Sequence, residues 1–121
     1  METVNLEMSR GDTYERDFQV LSGGIAVSLT GAEIRLTAKW LVSDTDANAA
    51  FAIDTLALGG ITIIDAANGK FRISIVPGKT TALPPERVDL DYDTQVKLSN
   101  GKVHTVLRGI FTVFPDPTIA S

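Results

Sequence analysis

The sequence of 121 residues contains no cysteine, one histidine and one tryptophan. The absence of cysteine excludes disulfide bonds, cysteine-ligated zinc, iron–sulfur clusters and thiol nucleophiles. A single histidine, with no Gly-x-Ser-x-Gly or His-Glu-x-x-His pattern, leaves little room for hydrolytic or metal-dependent chemistry. We therefore expect a protein that is not an enzyme and has no catalytic residue, cofactor or metal ion.

Positive charge and long apolar runs are also scarce. Eleven Lys and Arg residues stand against fifteen Asp and Glu residues, so the formal net charge is −4, whereas nucleic-acid binding needs a clustered positive surface. No window approaches the ~20 continuous apolar residues that span a bilayer. Residues 1–11 lack the basic and apolar regions of a secretory signal. We expect no nucleic-acid partner, no membrane partner, and synthesis in a cytoplasm.

What the sequence does contain is a two-residue period. Apolar and polar residues alternate over residues 3–8, 13–20, 33–40 and 70–75, and Gly-rich turns separate the alternating segments. Successive side chains of a strand point to opposite faces, so this pattern is typical of half-buried antiparallel strands. With 44% hydrophobic residues, a chain of this length can form one core. The pattern predicts an all-β fold, an Ig-like antiparallel β-sandwich of about seven strands, as a single domain over residues 1–121.

The last hairpin is specified in most detail. Asn100-Gly101 favours a two-residue type I′ turn, because both central residues of that turn need a positive φ. A turn flanked by Ser99 and Lys102 sets the register of the whole hairpin. The predicted partners are Leu98 and Val103, Val96 and Thr105, Thr94 and Leu107, Leu90 and Phe111, Val88 and Val113, Tyr92 and Gly109, and Asp93 and Arg108.

A second hairpin is predicted around residues 65–69, a five-residue loop with Gly69 in a left-handed conformation. It would bring Ile63 near Phe71 and Ile61 near Ile73. Residues 77–87 can form at most a helical turn, because two prolines end it. The polar stretch 43–50 is expected to be the most mobile loop.

Several patterns suggest chemistry but have simpler explanations. Gly78-Lys79-Thr80 matches the end of a phosphate-binding loop, yet the required earlier glycine is Ile73, so we interpret the match as chance. Asp89, Asp91 and Asp93 share one face of a strand, and Asp44 and Asp46 share a loop. Alternate side chains of a strand are about 7 Å apart, too far for one calcium ion, so a solvated surface is the better interpretation.

Two aromatic or titratable residues stand alone in the sequence. His104 has no nucleophile or second histidine in a recognisable motif, so we expect it at the surface. Trp40 ends an alternating strand, which favours a place in the core over a stacking platform for sugars or bases.

The last strand carries apolar residues on its outward face. Val106, Ile110 and, past the predicted end of the strand, Phe114 fall on the side that should face water. Such a patch can be covered by another subunit or by another part of the same chain. We predict that these three residues form an interface, with Ile110 in a protein–protein contact.

The order of features over residues 10–118 resembles short bacteriophage virion proteins related to the N-terminal domain of phage baseplate upper proteins. The segments that carry the resemblance are Arg-Gly-Asp-Thr-Tyr-Glu-Arg-Asp-Phe at 10–18, Val-Ser-Leu-Thr-Gly-Ala-Glu-Ile-Arg at 27–35, Gly-Ile-Thr-Ile at 60–63, Asn-Gly-Lys-Phe-Arg-Ile-Ser-Ile at 68–75, Thr-Thr-Ala-Leu-Pro at 80–84, and Arg-Gly-Ile-Phe-Thr-Val-Phe-Pro-Asp-Pro-Thr at 108–118. The chain departs from the family pattern at Glu86-Arg87-Val88, where Gly-x-Tyr is usual, and at Ser28, where Asp is usual.

The resemblance implies an Ig-like sandwich that is built into a phage or prophage tail, baseplate or fibre. It implies a structural or adaptor role through contacts with other virion proteins, a homo-oligomeric state and a virion location, without catalysis or cofactor. A head decoration protein, a head–tail connecting protein and a carbohydrate- or receptor-binding sandwich module are alternatives. The resemblance carries over no functional site residues.

Overall fold

The computed structural model describes residues 2–41, 49–84 and 86–115. Most of the stretch 43–50, with Asp44 and Asp46, lies outside the described residues. The strands are β1 (Glu2–Thr3), β2 (Leu6–Ser9), β3 (Tyr14–Gln19), β4 (Leu21–Ser22), β5 (Ile25–Ala26), β6 (Glu33–Lys39), β7 (Phe51–Asp54), β8 (Ile61–Asp65), β9 (Lys70–Ile75), β10 (Val88–Lys97) and β11 (Val103–Phe114). The described residues form eleven strands, more than the about seven that the sequence predicts. Three of the eleven have only two residues each.

The strands form two main sheets and a separate hairpin. The larger sheet has the order β11-β10-β6-β7, and β1 and β2 both pair in parallel with the outer edge of β11. The smaller sheet has the order β3-β9-β8, and β4 and β5 pair only with each other. An Ig-type sandwich places its second, fifth and fourth strands in one sheet and its third, sixth and seventh strands in the other. Here β3, β9 and β8 take the places of the second, fifth and fourth Ig strands, and β6, β10 and β11 take those of the third, sixth and seventh. The all-β, Ig-like sandwich is therefore confirmed.

The core lies between the two sheets and centres on Phe111 of β11. Its ring makes edge-to-face contacts with Tyr14 of β3, Phe51 of β7 and Tyr92 of β10, at centroid distances of 5.9, 5.5 and 6.1 Å. Phe71 of β9 is fully buried and belongs to the same apolar cluster. Aromatic pairs in this geometry add about 0.5–1.5 kcal/mol each beyond burial alone, so Phe111 links the two sheets.

The β10–β11 hairpin confirms the predicted register from Val88–Val113 to Thr94–Leu107. Nearer the turn the prediction is wrong, because the register shifts between Thr94 and Gln95 and every later partner moves by one residue. The partners there are Gln95 and Thr105, Val96 and His104, and Lys97 and Val103.

The shift comes from the turn. The amide of Gly101 donates to the carbonyl of Leu98 at 2.9 Å, and Gly101 has φ +88°. No described residue other than glycine has a positive φ, so Asn100 does not adopt the type I′ conformation. The connection is a three-residue loop whose last residue, Gly101, is left-handed. The bulge in β11 then restores the predicted register from Thr94 to Val88.

The β8–β9 hairpin confirms the predicted partners and the left-handed glycine, but the loop is one residue shorter than predicted, because Asp65 pairs with Lys70 after a register shift that follows Ile63. Ile61 lies opposite Ile73, Ile63 lies opposite Phe71, and Gly69 has φ +70°. A Cβ atom on Gly69 would lie 2.6 Å from the carbonyl oxygen of Val27. Glycine is thus required there for space as well as for conformation.

The N-terminal segment, residues 2–11, is fastened along the edge of β11. Gly109 allows the close approach, since a Cβ atom there would lie 2.3 Å from the carbonyl oxygen of Val4. The hydroxyl of Tyr92 donates to that same carbonyl, and the amide of Ile110 donates to Asn5 Oδ1 at 3.1 Å. The predicted pair of Tyr92 and Gly109 therefore lies where the segment between β1 and β2 docks.

Candidate interaction surface

The three residues predicted to form an interface lie in different environments. Ile110 points outward from the larger sheet and is 38% exposed. Phe114 is half-buried, and the guanidinium of Arg87 lies over its ring, 5.6 Å from the centroid. Val106 differs from the expectation, because it packs against the apolar core. The bulge in β11 interrupts the alternation of faces at this residue, so Val106 does not share an outer patch with Ile110.

The outer face of the larger sheet is mostly polar and matched in charge. Cross-strand partners of opposite sign are Asp91 and Lys39, Asp93 and Arg108, and Lys97 and Glu33. A shallow groove of about 610 Å³ crosses this face between β6 and the N-terminal segment. Opposite charges on facing strands stabilise a sheet modestly, and most of this face therefore has the chemistry of a solvated surface.

The candidate chemical motifs have structural roles. Thr80 is fully buried, its Oγ1 accepts a hydrogen bond from the amide of Gly11 at 2.9 Å, and Pro77–Lys79 form a 3-10 turn. Asp89 accepts hydrogen bonds from Thr112 Oγ1 at 2.8 Å and from Arg87 at 3.4 Å. No group of three His, Cys, Asp or Glu side chains within the described ranges is arranged to hold a metal ion.

The lone histidine and the lone tryptophan both lie at the surface. His104 is exposed on β11, as predicted. The prediction for Trp40 is wrong, since its side chain is 43% exposed. Regular pairing of β6 ends at Lys39, so Trp40 follows the last residue that the neighbouring strands hold in register. Leu41 beside it is 62% exposed.

The β4–β5 hairpin is an exposed apolar feature that the sequence analysis missed. Ile25 is 74% exposed and Leu21 is 53% exposed. The base of the hairpin is anchored by hydrogen bonds from the amides of Val20 and Val27. At the tip, Cβ atoms on Gly23 and Gly24 would meet no heavy atom within 4 Å. A signal was present in the sequence, because residues 18–32 contain no charged side chain.

A second exposed apolar feature is the loop 55–59 between β7 and β8. The buried carboxylate of Asp54 organises this loop, since its Oδ1 accepts hydrogen bonds from the backbone amides of Leu56, Leu58 and Gly59 at 2.8–3.2 Å. Leu56 is 59% exposed and borders, with the 55% exposed Val103, a depression of about 230 Å³. Charged and polar residues surround the two apolar side chains: Glu33, Arg35, Asp54, Gln95 and Lys97.

Two carboxylates of the smaller sheet have altered acidity. The hydrogen bond from the Arg72 guanidinium, at 2.7 Å, lowers the pKa of Asp17 below its ordinary value. The hydrogen bond from the Asn68 side-chain amide, at 2.8 Å, lowers the pKa of Asp65. Both groups contribute to the stability of the strand and loop that carry them.

No protein-family model and no curated protein matches the sequence. Among solved structures, the chain is similar to AggA, the major subunit of aggregative adherence fimbriae type I from Escherichia coli. The similarity covers 90% of this chain and 89% of that chain at 14% identity, with a TM-score of 0.30. The described part of the chain contains no helix with the length and apolar character needed to cross a membrane.

Proposed function

We propose that this protein is a structural subunit that acts through protein–protein contacts in a larger assembly. The observation that carries the proposal is the apolar surface of the described chain. Six large aliphatic side chains are more than half exposed: Leu21, Ile25, Leu41, Leu56, Val76 and Val103. Two pairs of them are grouped, Leu21 with Ile25 in one hairpin and Leu56 with Val103 at one depression, and grouped exposed apolar side chains mark contacts with other macromolecules.

The shape of the fold supports a role in assembly. The aromatic contacts of Phe111 and the docked N-terminal segment give a sandwich whose surface is pre-organised. A rigid partner loses little conformational entropy when it binds. Repetition of a modest contact around a symmetric particle multiplies its strength.

The particular assembly that we propose is a phage or prophage particle, in which the protein is a tail, baseplate or fibre-attachment component. This part of the proposal rests on the sequence resemblance over residues 10–118. It implies other virion proteins as partners, a homo-oligomer and a virion location.

The first experiment measures the mass of the full chain by size exclusion with multi-angle light scattering over a wide concentration range. We expect oligomers, and we expect Ile110→Asp to weaken them because it places a charge in a contact. Thr62→Asp is the control, since Thr62 is exposed on the smaller sheet. An unchanged assembly state of Ile110→Asp would remove Ile110 from the interface.

The second experiment tests the particle. Particles released from the source bacterium after prophage induction are purified and analysed by mass spectrometry, with the soluble lysate as reference. The proposal predicts the chain in particles at a fixed stoichiometry. Its presence in the lysate alone would exclude the virion role, and a monomer at every concentration in addition would exclude the subunit role.

A further inference from the structure

We propose that Asn100 is a modification site, at which the folded chain loses the side-chain amide and forms aspartate or isoaspartate. The chain contains two Asn-Gly pairs, Asn68-Gly69 and Asn100-Gly101. Asparagine before glycine is especially prone to this reaction, because glycine has no side chain to obstruct its own amide nitrogen. The sequence marks both pairs equally, and only their surroundings distinguish them. The proposal goes beyond the role in assembly and does not depend on it.

The reaction consumes only water. The amide nitrogen of Gly101 attacks Cγ of Asn100, a C–N bond forms and the Cγ–Nδ2 bond breaks, so that ammonia leaves and a succinimide ring remains. The amide proton passes to solvent, and the leaving nitrogen takes a proton from solvent. Water then opens the ring. Addition at Cγ gives aspartate, and addition at the main-chain carbonyl carbon gives isoaspartate, in which the chain runs through Cβ and Cγ.

Contacts on several sides hold the backbone at Asn68 and Gly69. The carbonyl of Asn68 accepts a hydrogen bond from Gln19 Nε2 at 2.9 Å. The carbonyl of Gly69 accepts one from the amide of Val20 at 2.8 Å. A Cβ atom on Gly69 would lie 2.6 Å from the carbonyl oxygen of Val27. The backbone rotation that brings the glycine nitrogen to Cγ would break these contacts, so the folded state opposes ring closure at Asn68.

The turn at Asn100 is exposed. Both Asn100 and Gly101 are accessible to solvent, and a Cβ atom on Gly101 would meet no heavy atom within 4 Å. The amide of Gly101 donates to the carbonyl of Leu98 at 2.9 Å. The amide of Gly69 donates in the same way to the carbonyl of Ala66 at 3.2 Å. The two attacking nitrogens are therefore engaged alike, and the difference between the sites lies in what surrounds them.

The two asparagine side chains are hydrogen-bonded in opposite senses. Asn68 Nδ2 donates to Asp65 Oδ2 at 2.8 Å, which leaves electron density on the nitrogen and makes it a poorer leaving group. Asn100 Oδ1 instead accepts from the amide of Lys102 at 3.0 Å. A donor at a carbonyl oxygen stabilises the negative charge that develops on this oxygen during attack. Hydrogen bonding thus slows the reaction at Asn68 and favours it at Asn100.

The product alters the end of the β10–β11 hairpin. Isoaspartate adds one backbone carbon to a loop that is closed by the 2.8 Å hydrogen bond from the amide of Leu98 to the carbonyl of Lys102. Either product adds a negative charge to a chain whose formal net charge is −4. We expect faster hydrogen exchange over residues 98–103 in the modified chain. The register from Val88 to Thr94 lies beyond the bulge and is retained.

The experiment follows both sites in the same sample. The full chain is incubated at mildly alkaline pH and sampled over weeks. Each sample is digested at acidic pH, where ring closure is slow, and its peptides are analysed by liquid chromatography and mass spectrometry. We expect Asn100 to react about tenfold faster than Asn68, because the loss of the two hydrogen bonds between Asn68 and Asp65 corresponds to a factor of about ten in rate.

Two controls separate the effect of structure from that of sequence. In concentrated urea the two sites should react at similar rates, because the same residue follows both asparagines and the contacts are gone. In the folded chain, Asp65→Ala should accelerate the reaction at Asn68 and leave the rate at Asn100 unchanged. Circular dichroism verifies the fold of this variant, and the comparison with urea is decisive by itself if the variant does not fold.

Preferential reaction at Asn100 that disappears in urea supports the proposal. Equal rates at the two sites of the folded chain overturn it, and so does a ratio of rates that urea leaves unchanged. A folded chain in which Asn100 stays intact also overturns it. A folded Asp65→Ala variant in which Asn68 reacts as slowly as in the wild type overturns the protection that the side-chain hydrogen bonds are held to give.

Discussion

The N-terminal segment 2–11 and the β4–β5 hairpin both lie at the margin of the sandwich, but they are attached in different ways. Polar side chains fasten the N-terminal segment to the main body at Asn5, Arg10 and Tyr92. The hairpin is attached by backbone hydrogen bonds at its base, and its tip stands in open space.

The difference shows which exposed strand is part of the fold and which is available for another molecule. An edge that is covered or clamped is protected against pairing with a second chain. The N-terminal segment covers the edge of β11 and buries Leu6 and Met8. The hairpin instead exposes Leu21 and Ile25, so these side chains are accessible to another molecule.

The largest expected loss of stability follows from a side chain at Gly109, where the N-terminal segment packs closely against β11. Gly109→Ala places a Cβ atom against the Val4 carbonyl, which must then move. Overpacking of this kind costs about 2–3 kcal/mol of unfolding free energy, which lowers Tm by roughly 10 °C. Thermal melting measures the effect.

The matched control is Gly78→Ala, where an added Cβ meets no atom within 4 Å and φ is not positive. We expect its Tm to stay within a few degrees of the wild type, because surface substitutions change stability by less than about 0.5 kcal/mol. Equal effects of the two substitutions would show that the N-terminal segment is not docked at Gly109.

A smaller loss of stability is expected at Arg10, near the end of the N-terminal segment. Arg10 donates hydrogen bonds to the carbonyls of Leu83 and Thr81 at 3.0 and 2.5 Å. Arg10→Ala removes both and lowers the unfolding free energy by about 1 kcal/mol, since the bonds are partly exposed. Urea denaturation measures it. Arg10→Lys retains the charge without the guanidinium geometry, so a full rescue by lysine would contradict the role of these two bonds.

The smallest expected effect is a pH-dependent change in hydrogen exchange at the base of the β4–β5 hairpin. The amide of Val20 donates to the carbonyl of Gly69, in the loop that the Asp65–Asn68 hydrogen bond holds. The lowered pKa of Asp65 means that its contribution is present above the ordinary aspartate value of about 3.9 and is lost as the pH falls through the lowered value.

Hydrogen exchange at acidic pH checks this prediction. Acidification through that range accelerates exchange in residues 65–69 relative to residues 2–11, after correction for the intrinsic pH dependence of exchange. Asp65→Ala removes the pH dependence because the titrating group is gone. Equal acceleration in the two segments would show that Asp65 does not secure the hairpin base.

The sequence predicted the regular part of the fold because that part depends on local alternation. Residues 33–39 and 70–75 became strands with the expected faces buried, and the hairpin register holds from Val88 to Thr94. A two-residue period specifies a face of a sheet unambiguously once one side is buried.

The sequence predictions were wrong where contacts outside the local alternation determine the conformation or the exposure of a residue. The Asn100-Gly101 pair is compatible with more than one turn, and the bulge in β11 leaves Val106 partly buried against the core. Trp40 lies just past the end of β6, where alternation no longer determines exposure. Of the predicted interface, Ile110 retains the expected exposure.

Hydrogen exchange of the wild type at low and high protein concentration tests the central claim most directly. The account predicts that residues 21–26 exchange rapidly in dilute protein and become protected as the concentration rises, together with residues 55–59. The N-terminal segment should be equally protected at both concentrations. Oligomers in which residues 21–26 still exchange as in the monomer, or a chain that does not associate, would contradict the account.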